Sequence, residues 1–108
     1  MEEGLFVRVN GEKLAANGGN TVSIVGELEG TSEGGFTLKS TDNREIKVLF
    51  GGSVQKESDP CWIEVIGVAE SADTVRAEKV IPLSKTIQPD IWNEVTDLPR
   101  LFPEIFAV

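Results

Sequence analysis

Few side chains in this sequence carry reactive chemistry. Among 108 residues there is no histidine and a single cysteine, Cys61, so neither a histidine-activated nucleophile nor a Cys/His zinc set can be assembled. A glycine-rich phosphate loop of the Walker type is also missing. What remains is a pair of carboxylates, Glu27 and Glu29. Two carboxylates flanking a bond can do acid-base work, but these alternate with apolar residues and fall on a solvated strand face. Cys61 opens an apolar run beside Trp62 and reads as core packing rather than as a redox thiol. The sequence therefore predicts no catalytic residue, no metal ligand and no cofactor.

Binding of single-stranded nucleic acid is the other chemistry to weigh, and it needs cations along a groove with aromatic rings for base stacking. Lys39, Arg44 and Lys47 are the candidates for weak contact of this kind. Phe36 and Phe50 could stack on bases only if their strands had the opposite parity to the one the pattern predicts. Net charge is −8, from ten Lys and Arg against 18 Asp and Glu, and both halves of the chain are acidic. Affinity for a phosphate backbone grows with the phosphates neutralised. The chain alone should bind such a strand weakly and share any nucleic-acid role with a partner.

The elements that would position these residues follow from composition and period. A hydrophobic share of 40% and a charged share of 26% fit one folded domain over residues 1–108, without a membrane-length apolar run. The first residues lack a secretory signal, and one cysteine fits a reducing compartment. Residues 1–20 read as a lead-in of strand or coil with one helical turn. From Thr21 the period becomes two: Val22, Ile24, Gly26 and Leu28 alternate with Ser23, Val25, Glu27 and Glu29. A loop is expected at Gly30 to Gly35, and further strands at Phe36 to Leu38, Ile46 to Phe50, Cys61 to Ala69 and Thr74 to Ile81. Gly26 and Gly67 inside strands mark a bulge or sharp coil of the kind that closes a small barrel. The expected fold over 21–88 is all-β, a five-stranded, partly open Greek-key OB-fold barrel, with an SH3-like barrel as its nearest rival.

Residues 89–108 change period again. Ile91, Trp92, Val95 and Leu98 form the stripe of an amphipathic helix, and Pro99 predicts that it ends or kinks near Leu98. Leu101 and Phe102 continue the apolar character into the tail. So short a helix must be held by packing, either on the barrel's own open end or against another chain.

These residues resemble the smallest subunit of replication protein A over nearly the whole chain. Arg8-Val9-Asn10 ahead of Leu14 resembles that family's lead-in, and Val25-Gly26-Glu27-Leu28-Glu29 its first strand. Phe36-Thr37-Leu38 and Ile63 to Val68 are similar to its second and fourth strands. More specific are Trp92-Asn93-Glu94 and Asp97-Leu98-Pro99-Arg100-Leu101-Phe102-Pro103, which resemble its closing motifs, here spaced about one helical turn closer. The resemblance implies a non-enzymatic nuclear subunit that joins the middle and large subunits through a C-terminal three-helix bundle. It would support replication, repair and recombination, meet single-stranded DNA mainly through the complex, and have no membrane role. The interface would be Ile91, Trp92, Val95, Leu98, Leu101 and Phe102. A telomeric or telomerase-associated paralogue and a self-sufficient single-strand-binding barrel are the alternative readings.

Overall fold

A computed structural model describes residues 6–52, 54, 61–83 and 89–101, with 97–101 described as backbone only. Its elements run β1 (Val7–Val9), α1 (Gly11–Leu14), a 3-10 turn (Ala15–Asn17), β2 (Thr21–Ser32), β3 (Gly35–Ser40), β4 (Glu45–Leu49), β5 (Trp62–Ser71), β6 (Thr74–Pro82) and α2 (Pro89–Leu101). Five strands, β2-β3-β4-β6-β5, close into a barrel through the β2–β5 pairing. All neighbours are antiparallel except β4 and β6. This is the OB-fold order, closed rather than partly open because β4 and β6 still pair over Lys47↔Thr74 to Leu49↔Arg76.

The alternation read from the sequence sets the core. Val22, Ile24 and Leu28 of β2 point inward with Leu38 of β3, Ile46 of β4 and Val65 of β5, each essentially fully buried. Every such side chain contributes roughly 1.5–3 kcal/mol on burial. Cys61 and Phe36 join this cluster, as packing residues. On the opposite face of β2, Ser23 and Val25 are buried as well, Ser23 donating to Glu64 at 2.6 Å.

Two glycines allow β2 and β5 to serve this closed barrel. Gly26 is paired in register on both sides, with Ser40 of β3 and Ile63 of β5, and a Cβ there would strike Leu38 and the Lys39 carbonyl. At Gly67 a Cβ would enter the Arg76 carbonyl beside the bulge that leaves Glu78 of β6 unpaired. The β2 bulge, by contrast, falls at Glu29 and not at Gly26. Beyond it β2 continues to Ser32, so the loop expected at Gly30 to Gly35 is a two-residue turn at Glu33-Gly34 on an extended hairpin.

The lead-in is a strand and a plug. β1 pairs in parallel with β2, Val7↔Val22 to Val9↔Ile24. Asn10 then caps α1 by accepting from the Lys13 amide at 3.1 Å, and Leu14 drops fully buried into the core with Val9. At the other end of the chain, α2 passes through Pro99 to Leu101, beyond the expected stop near Leu98. A proline φ is itself helical, and what Pro99 forfeits is the one backbone bond that an N–H there would make to the Val95 carbonyl. Phe102 and the remaining tail lie outside the described residues.

Candidate assembly surface

The 13 residues of α2 span about 20 Å. Trp92 is half-buried, and its indole N–H donates to the Val9 carbonyl at 3.0 Å. β1 has a strand neighbour on one side only, so this bond occupies a carbonyl on the last residue of an edge strand. Asn93 follows with a small network. Its Oδ1 accepts from Asn10 Nδ2 at 2.9 Å and from the Thr41 hydroxyl at 2.7 Å, while its Nδ2 donates to the Thr41 carbonyl at 3.3 Å. Thr96, 4% exposed, turns back and donates to the Asn93 carbonyl. Trp92 and Asn93 thus fasten one helix face to the rest of the chain, and Thr96 is buried on the same face.

Ile91 is 54% exposed. At about 100° per residue, Ile91, Val95 and Leu98 share a stripe that Trp92 borders on one side, with Thr96 and Asn93 further round the helix. The spacing in the sequence groups Trp92 with Ile91, Val95 and Leu98; the structure separates them, sending Trp92 to the barrel. The residues the hydrophobic pattern passes over are polar: Asn10, Thr41, Asn93 and Thr96. A signal for two of them was present, since Asn10 and Asn93 each sit within a stretch that resembles the same family, 83 residues apart in the chain and bonded in space.

The turn between β3 and β4 fastens the opposite end of this arrangement. Asn43 adopts φ 64°, the left-handed conformation asparagine tolerates. Asp42 accepts from the Gly11 and Glu12 amides, both at 2.9 Å, and from the Ser40 hydroxyl. Partial burial pushes the Asp42 carboxyl up, but the bonds from Ser40, Glu12 and Gly11 outweigh it and hold the group below its ordinary 3.8. Arg44, proposed for nucleic-acid contact, lies 3.5 Å from Asp42 with its side chain 60% exposed.

Lys39 and Lys47 are exposed on neighbouring strands and share a face, Lys47 lying opposite Thr37. The structure brings these two together. It also brackets Lys39 between Glu27 of β2 and Glu45 of β4, its partners in register, which offsets its charge. Phe36 is buried and packs edge-to-face on Phe50, ring centroids 6.4 Å apart. Phe36 therefore offers no stacking surface beside the two lysines.

The family described as replication factor A protein 3 matches residues 1–106. One of the 14 kDa subunits of replication protein A from Arabidopsis thaliana is 32% identical over 90 residues, covering 83% of this chain and 82% of that one. In fold, the chain is similar to one in the structure of U. maydis replication protein A bound to ssDNA. That likeness has TM-score 0.77, 17% identity, and 95% and 96% of the two chains covered. A chain of the S. pombe Stn1-Ten1 complex is also similar, with TM-score 0.67 at 12% identity over 92% and 94% of the chains. The fold is thus shared with solved structures, and on the family match and the curated relative together the chain belongs to the replication factor A protein 3 family, that of the small subunit of replication protein A.

Proposed function

We propose that this chain is a structural, non-enzymatic subunit that assembles with the middle and large subunits of replication protein A, α2 contributing one helix to a three-helix bundle. It works in the nucleus, in replication, repair and recombination. The observation that supports this most is the division of α2. Its polar face is held by the chain's own barrel, while Ile91 on the other face stays 54% exposed. Ile91, an exposed apolar side chain on a helix already docked, is surface available to another chain.

The contact is assigned to Ile91 and Val95, with Leu98, Leu101 and Phe102 by their spacing. Trp92 is assigned the supporting role of holding the helix on the barrel. Lys39, Arg44 and Lys47 add at most a weak contact to single-stranded DNA, which the complex binds mainly through its other subunits. A telomeric role is the second reading, supported by likeness of fold to Ten1 of Schizosaccharomyces pombe at 10% identity. The 32% identity to a small replication protein A chain favours the first.

Solution mass tests the reading. Co-expressed with the middle and large subunit cores of its own organism, the chain should elute as a one-to-one-to-one complex by light scattering, and Ile91→Asp should release it as a folded monomer. A wild-type chain that stays monomeric beside both cores would overturn the assignment.

A further inference from the structure

We infer that one flank of α2 selects a basic amphipathic helix as the occupant of the Ile91 stripe. The inference rests on the assembly reading above and adds the chemistry of the partner. Asp90 and Glu94 are exposed and one turn apart, and Asp97 stands at the next position of the same row. At about 100° per residue the row borders the stripe on one side, with Trp92 and the barrel on the other. All three acids of α2 fall on this flank, and its one cation, Arg100, falls outside it.

Among the described residues no ion pair accounts for that segregation. Asp90 and Glu94 are a like-charge pair at i and i+4, an arrangement that destabilises a helix. Among the described residues neither acid makes an ion pair. The helix macrodipole favours Asp90 in the first turn, but it disfavours carboxylates toward the C-terminal end. A partner helix with Lys or Arg beside its apolar seam would relieve the repulsion and gain attraction along two turns. One flanked by Glu or Asp would be rejected.

Two labelled peptides of identical Leu/Ile seam, one flanked by Lys and one by Glu, test this by fluorescence anisotropy against the full chain. The Lys peptide should bind about fivefold more tightly at low salt, the sum of a few exposed pairs, and the gap should narrow at roughly 0.5 M salt. Asp90→Lys with Glu94→Lys should invert the preference. Glu27→Lys with Glu29→Lys, which changes net charge equally, should leave the order intact; inversion there too would reduce the effect to overall charge and overturn the inference. Equal binding of both peptides, lost in Ile91→Asp, would overturn the charge selection and leave the stripe standing. Binding by neither would remove the assembly reading and the inference with it.

Discussion

The two faces of α2 are made of the same short segment and meet opposite fates. Trp92, Asn93 and Thr96 are tied down by five hydrogen bonds to β1, to the α1 cap, to the β3–β4 turn and within the helix. Ile91 on the other face is 54% exposed. A helix of this length is marginal without packing, so the docked face is what keeps it formed and aimed. The difference teaches that the side of this helix carrying Trp92, Asn93 and Thr96 serves the fold, while Ile91 is left at the surface.

If that division is right, substitutions on the two faces should part in the stability of the isolated chain, followed by urea denaturation. Trp92→Ala should cost most, about 2 kcal/mol, because a half-buried ring and the bond to Val9 are lost together. Equal stability to the wild type would mean that α2 swings free of the barrel. Next, Asn93→Leu should cost roughly 1–2 kcal/mol by leaving Asn10 and Thr41 without their acceptor.

Asp42→Asn should cost about 1 kcal/mol at neutral pH, the α1 amides keeping a weaker acceptor in a partly exposed site. Its pH dependence sharpens the point. The folded Asp42 carboxyl lies below its ordinary 3.8, so its contribution is present above that value and is lost as pH falls through the lower folded value. The difference in stability between wild type and Asp42→Asn should therefore shrink as the solution is acidified below about pH 4; a gap that widened there would contradict the assignment. Smallest of all, Ile91→Asp should move stability by no more than about 0.5 kcal/mol, yet release the chain from its partners. A large loss of stability would place Ile91 in the core instead.

Much of the barrel was legible because its signal is local. Alternation at Val22, Ile24 and Leu28, and again at Ile63 and Val65, is enforced by the pleat, which sends every second side chain inward. Asp42-Asn43 are residue types that tolerate turn geometry, and Asn43 takes the positive φ. Less legible were the elements whose evidence is not periodic. Glu29 carries the β2 bulge although a glycine three residues earlier looked the better candidate, because a bulge depends on register with β3 and not on one residue's freedom. Pro99 marked an end or a kink near Leu98, and the helix runs through it to Leu101.

For the candidate surface the limit is sharper. By itself the sequence determined the composition that leaves no histidine chemistry, the strands and their inward faces, and an amphipathic segment after Pro89. Each of these follows from residue type and short-range spacing. Only the tertiary structure decided that Trp92 belongs to the barrel and Ile91 to the surface, and that Lys39 lies between two carboxylates. Helical periodicity ranks positions by polarity, but it does not say which neighbour a face will meet. That is fixed when closing the barrel brings Val9, Asn10 and Thr41, far apart in the chain, to one place where an indole N–H and a side-chain amide find their partners.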